Sequence, residues 1–171
     1  MRLPAPCAVL VAVCLLPSLL VAQQHNVEIG LDGGMSYSFD SELLTIAIPF
    51  QRVRAAFPLE HRLAIEPALS FTRVSSGGQS LAALMMGAGL LYDLDDEPGA
   101  SYARPFFGLE YVDVGFGSET VFDLGAGIGT RSRIADRLAL RFEGSITGRF
   151  GMEGGTDGVI GATVGLSFFT R

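Results

Sequence analysis

The stretch Val159-Ile160-Gly161-Ala162-Thr163-Val164-Gly165-Leu166-Ser167-Phe168-Phe169-Thr170-Arg171 alternates apolar residues with small or polar ones up to an aromatic pair. Successive side chains of a β-strand point to opposite faces, so the alternation has the strand period. Ile160, Ala162, Val164, Leu166 and Phe168 share one face. Gly161, Thr163, Gly165 and Ser167 share the other.

Seven earlier stretches have the same character, separated by clusters of Gly, Ser, Asp and Pro, and no convincing helical stripe interrupts them. They run near residues 27–39, 43–57, 62–74, 81–94, 102–114, 120–131 and 137–150. In the first, Val27, Ile29, Leu31, Met35 and Tyr37 oppose Glu28, Gly30, Asp32, Gly34 and Ser36. In the second, the apolar parity changes between Ile46-Ile48-Phe50 and Val53-Ala55-Phe57. Pro49 sits at the change, and a bulge there reconciles the two halves. Pro67 interrupts the ladder of the third, because proline has no N–H to donate. A partial repeat, residues 59–65 against 134–140, predicts two tight turns at the same end. The fold class expected is all-β, an eight-stranded antiparallel up-and-down transmembrane β-barrel.

The direction of the polar face decides between a membrane barrel and a soluble one. That face is crowded with glycine and small residues, as a narrow eight-stranded interior requires. It also carries both signs of charge. Glu28, Asp32, Glu66, Glu110, Asp123 and Glu143 can meet Arg131, Arg141 and Arg149, with Arg52 or Arg54 as further cations, in an interior ion-pair network. Aromatics fall toward both strand ends, as interfacial girdles do: Phe57, Tyr92, Tyr102 and Phe168 at one, and Tyr37, Phe39, Phe71, Phe122 and Phe150 at the other.

Residues 1–22 have the pattern of a cleaved signal peptide: Arg2, an apolar run from Cys7 to Val21, then Ala22 before a polar segment. Residues 23–171 form the expected barrel domain. Cys7 and Cys14 both lie in the signal, so the domain has no disulfide or thiolate site. Without Arg2 the chain keeps eleven arginines, no lysine and eighteen acids, a formal charge of −7. That sign disfavours nucleic-acid binding.

The terminal strand, with Thr163, Gly165 and the aromatic Phe168, resembles the assembly signal read by the barrel-assembly machinery, with Thr170 and Arg171 following where a terminal Phe is usual. Over residues 23–171 the chain resembles the small outer-membrane barrels of the outer-membrane protein A/X-like superfamily. The resemblance implies secretion across the inner membrane, insertion into the outer membrane of a Gram-negative envelope, and contact with its lipid and assembly machinery. A monomer is expected.

Catalytic chemistry needs converging groups, and the chain offers few. His25 lies just after the cleavage site and His61 in a turn, so neither sits beside a lumen serine as a hydrolase dyad would need. The acidic run Asp93, Asp95, Asp96 and Glu97 lacks EF-hand spacing and reads as a solvated turn. The glycine runs at 87–89 and 125–129 have no following helix, which excludes a phosphate loop. No catalytic, cofactor or metal residues are assigned. The function expected is a non-enzymatic structural or interaction role with a side-chain-filled, porin-like lumen and weak small-solute passage. A soluble periplasmic lipocalin-like barrel binding a hydrophobic ligand and an outer-membrane lipid-modifying enzyme are the alternatives.

Overall fold

The structure is a computed structural model that describes residues 27–40, 42–76, 79–95, 101–113, 117–151 and 155–170. The expected signal peptide, His25 and most of the acidic run after Asp95 lie outside these residues. Eight strands follow one another in chain order: β1 (Glu28–Ser38), β2 (Leu44–Glu60), β3 (Leu63–Ser76), β4 (Gln79–Asp93), β5 (Ser101–Asp113), β6 (Ser118–Ala135), β7 (Leu138–Gly151) and β8 (Thr156–Phe169). Each pairs antiparallel with its neighbours, and β1 pairs with β8 to close the ring. Closure leaves no strand edge unpaired. Val27 and Thr170 seal the seam: Thr170 N–H donates to the Val27 carbonyl at 2.9 Å, and Val27 N–H donates to Thr170 Oγ1 at 3.0 Å. Thr170, the first residue after the terminal aromatic pair, therefore completes the ladder.

The irregularities sit where the sequence changes parity. Between β1 and β2 the register slips from Asp32–Arg52 to Gly34–Ala47, so residues 48–51, with Pro49 among them, are absorbed as a bulge. The repeated turns at His61-Arg62 and Asp136-Arg137 lie at the same end as Val27 and Thr170, called here the terminal end; the other is the distal end. Both follow a register shift, between Pro58 and Glu60 and between Arg133 and Ala135. In each, the turn arginine's carbonyl accepts a hydrogen bond from the last residue of the second strand after the turn: Asp93 N–H of β4 to Arg62 at 2.9 Å and Phe169 N–H of β8 to Arg137 at 3.0 Å. The turns occupy equivalent places four strands apart.

The wall is inside-out relative to a soluble protein. Ile128 and Ile146 are each 64% exposed on the outer face, among a continuous belt that includes Met35, Leu69, Leu90, Leu124, Phe142, Ile160 and Val164. The charged residues Glu28, Asp32, Arg54, Glu66, Arg104, Asp123, Arg141 and Glu143 are buried within. A lipocalin-like barrel has the opposite arrangement, with apolar side chains around its cavity. Tyr37 and Phe39 stack edge to face at 5.7 Å near the distal rim, and Phe122 lies 6.4 Å from Phe150 there; Tyr92 and Phe168 are exposed toward the terminal end. Tyr102, grouped with these aromatics from its place near a strand end, is instead wholly enclosed in the lumen, because it shares the parity of Arg104 and Phe106.

Candidate functional site in the barrel lumen

The terminal half of the lumen is filled by one continuous hydrogen-bonded cluster. Arg54, on β2 and 1% exposed, is bonded through all three of its nitrogens. Its Nε donates to Asp32 Oδ2 at 3.0 Å, its Nη1 to Glu28 Oε1 at 2.5 Å, and its Nη2 to Ser167 Oγ at 2.7 Å. Ser167 in turn donates to Glu28 at 2.6 Å, so β1, β2 and β8 are tied at one point. Arg52 adds a second guanidinium to Asp32 at 2.9 Å. On the opposite wall Arg141 of β7 donates to Glu66 of β3, to Glu143 at 2.8 Å and to the Tyr102 hydroxyl. Tyr102 passes its own proton toward Glu143 at 2.9 Å, and Arg104 grips both oxygens of that carboxylate. Arg131 bridges Glu28 at 2.8 Å to Asp93. The guanidiniums of Arg141 and Arg131 also lie 4.4 and 5.4 Å from the Tyr102 ring centre.

The cluster is balanced. Arg52, Arg54, Arg104, Arg131 and Arg141 face Glu28, Asp32, Glu66, Asp93 and Glu143, five charges of each sign. Buried ions persist only when paired and hydrogen-bonded, and the all-arginine cation set suits this, since the planar guanidinium can bond two carboxylates at once. The glycines on the same face supply the space. A Cβ at Gly30 would run into the Arg54 guanidinium, at Gly129 into Tyr102, at Gly127 into Glu143 at 2.9 Å, at Gly89 into Arg104 at 3.0 Å, and at Gly165 into Asp32. Arg54, Tyr102, Glu143, Arg104 and Asp32 thus each lie across a glycine.

A smaller cluster lies toward the distal end. Arg149 of β7 donates to Asp123 of β6 at 3.2 Å and to Glu110 of β5, and is itself about one-third exposed. Asp157 of β8 accepts from Ser38 Oγ at 2.5 Å and from Asp40 N–H at 3.0 Å. Between the clusters, Phe106 lies over Gly125 with the Arg104 guanidinium 4.5 Å from its ring centre, and a small cavity is bounded by Arg52, Ser70, Met85, Gly87, Arg104 and Phe106.

The nine residues expected to form one network therefore separate into two groups. Glu28, Asp32, Glu66, Arg131, Arg141 and Glu143 lie in the plug, whereas Glu110, Asp123 and Arg149 lie beyond Phe106. Arg52 and Arg54 both join the plug. Sequence reasoning left Arg104, Tyr102, Asp93 and Ser167 out of the network, although all four share parity with recognised inward residues, Ser167 with Thr163 and Gly165. Thr163 and Gly165 of the assembly-signal pattern face the lumen, and Phe168 faces outward. His61 is exposed in its turn, away from the lumen. Among the described residues no three acidic, histidine or cysteine side chains converge as a metal site.

No family model and no curated protein sequence matches the chain. Solved structures do. Neisserial surface protein A superposes with a TM-score of 0.63 at 14% identity, over 84% of this chain and 95% of that one. Ail, the attachment invasion locus protein of Yersinia pestis, gives a TM-score of 0.48 at 13% identity, over 85% of this chain and 97% of that one. The strand order, closure and inverted polarity, with the first of these superpositions, establish that the chain has the closed eight-stranded antiparallel β-barrel fold of Neisserial surface protein A.

Proposed function

We propose that this protein is a monomeric, non-enzymatic outer-membrane barrel whose role in the Gram-negative envelope is structural or interactive, with a lumen closed to all but weak passage of small solutes. The observation that carries the reading is the inverted cross-section: ten paired charges fill the interior while the apolar belt faces outward. A belt of that kind is stable only against lipid hydrocarbon. The terminal end is then periplasmic and the distal loops face outside. Residues 1–22 direct secretion, and the strand bearing Thr163, Gly165 and Phe168 is presented to the assembly machinery.

Membrane fractionation with gel mobility of unheated and heated samples tests this. The expected result is an outer-membrane species with a heat-dependent mobility shift, and only small currents in planar bilayers. A soluble periplasmic species without the shift overturns it, and large stable currents overturn the closed lumen.

A further inference from the structure

Two of the barrel's ladders are interrupted at a proline, and both interruptions flank the same hairpin. Between β2 and β3, pairing runs to Arg54–Ala68 and resumes at Phe57–Ile65, which leaves Ala55 and Ala56 unpaired with Glu66 and Pro67. Between β4 and β5 it runs to Gly89–Phe106 and resumes at Tyr92–Ala103, passing over Leu90, Leu91, Arg104 and Pro105. The register is the same on both sides of each gap, so neither is a bulge. Pro67 and Pro105 account for them, since each stands in its gap without an N–H for the facing strand. The β3–β4 ladder itself is unbroken from Leu63–Tyr92 to Ser76–Gln79. Its terminal end, residues 63–67 with 89–93, is therefore a two-stranded panel. Beyond the gaps only short runs join it to its neighbours: Phe57–Ile65 to Glu60–Leu63 on one side, with a register shift inside it, and Tyr92–Ala103 with Asp93–Tyr102 on the other.

Side chains fasten what the backbone leaves loose. The panel contributes two acids to the plug, Glu66 and Asp93, and no cation. Glu66 is held by Arg54 of β2 at 3.4 Å, by Arg104 of β5 at 3.6 Å, and by Arg141 of β7 across the lumen. Asp93 is held by Arg131 of β6. Arg54 and Arg104 stand on the two strands that the gaps part from the panel, so the ion pairs replace lateral ladder bonds at the height where these are missing. Local stability follows the density of backbone bonds, and a segment fastened mainly by side chains opens before the ring as a whole does.

We propose that the terminal end of the β3–β4 hairpin is a movable panel in the barrel wall, latched shut by Glu66 and secondarily by Asp93. Its opening parts the plug from the side while the β7–β8 and β8–β1 ladders, continuous over their whole length, stay closed. The device follows from the closed ring and not from the proposed envelope role. Amide hydrogen exchange of the folded protein in detergent micelles, read by NMR, tests it. Residues 63–66 and 89–93 are expected to exchange at least about tenfold faster than 139–143 and 163–167, which face the panel across the lumen. Glu66→Gln speeds panel exchange by a further factor of about ten or more, with a much smaller change in residues 163–167. Asp93→Asn has a lesser effect of the same kind. Pro105→Ala restores an N–H on an exposed residue outside the plug, and slows panel exchange about fivefold. Even exchange of panel and opposite wall, equal acceleration of all strands by Glu66→Gln, or an unchanged panel rate in Pro105→Ala overturns the proposal. If Glu66→Gln does not fold, Asp93→Asn and Pro105→Ala decide it. Loss of the heat-dependent mobility shift overturns the barrel reading itself, whereas an intact shift with even exchange overturns the panel alone.

Discussion

Arg141 and Glu66 meet across the full width of the barrel, from strands four apart in a ring of eight, with both side chains almost wholly enclosed and Arg141 Nη2 3.3 Å from Glu66 Oε1. No backbone ladder joins β3 to β7, so this contact braces opposite walls through side chains alone. Removing one member leaves a buried charge short of its counterion, which typically costs about 3–5 kcal/mol. Glu66→Gln is therefore expected to lower stability by roughly that amount in urea unfolding from phospholipid vesicles. Glu66→Leu combined with Arg141→Met, which removes both charges at similar volume, recovers more than half of the loss. Equal stability of wild type and Glu66→Gln contradicts the brace.

Gly129 makes the space in which Tyr102 lies. A side chain there meets the Tyr102 ring and hydroxyl and the Phe142 carbonyl, whereas one at Gly144, on the lipid face, meets nothing within 4 Å. Overpacking of this kind costs about 1–3 kcal/mol. Gly129→Val should lower refolding yield and the urea midpoint, and Gly144→Ala should leave both within about 0.5 kcal/mol of wild type. Similar behaviour of the two variants removes the volume argument.

Ile128 and Ile146 stand at the most exposed points of the apolar belt, on adjacent strands. Ile146→Arg is expected to destabilise the lipid-embedded protein by about 2–4 kcal/mol, the cost of a cation near the bilayer midplane. Arg substitution at Ser132, an exposed residue near the terminal end, should cost about 1 kcal/mol or less. Unfolding from vesicles reads both, and the difference between them measures depth.

Phe168 and Thr170 occupy the same strand end, Phe168 facing outward and Thr170 bonded to Val27 across the seam. Thr170→Ala removes the oxygen that accepts from Val27 N–H and is expected to cost about 1 kcal/mol in purified protein. If the proposed reading of the last strand as an assembly signal holds, Phe168→Ala leaves refolding in detergent nearly unchanged while reducing the folded fraction recovered from cell membranes. Equal effects on both readouts would reduce Phe168 to ordinary packing.

Alternation alone carried the eight strands, the slip at Pro49 and the paired turns at 61–62 and 136–137, because each is a local property of side-chain parity. Tyr102 was misplaced because nearness to a strand end suggested an interface, although counting back by twos from Phe106 through Arg104 puts it inside. Asp93 was read with the following acids as a solvated turn, yet it shares the parity of Leu91 and Gly89 and reaches Arg131. The division of the network at Phe106 was not legible. Which charges meet across the lumen depends on how the ring closes and staggers, and no neighbouring residues encode that. Arg54 meeting Ser167, separated by 113 positions, exists only in the finished ring.

The seam between Val27 and Thr170 joins residues 143 apart, so it is the longest loop closure the described chain makes. Such a non-local pairing forms slowly and gains nothing until its ends meet. Glu28 and Ser167 stand beside that seam and are the shared attachment points of Arg54 and Arg131. Before closure, those ions on an inserted sheet would face hydrocarbon without a full set of counterions. Insertion of charge and closure of the ring must therefore be coupled, which makes the barrel an all-or-none assembly whose last bond admits the polar interior to the membrane.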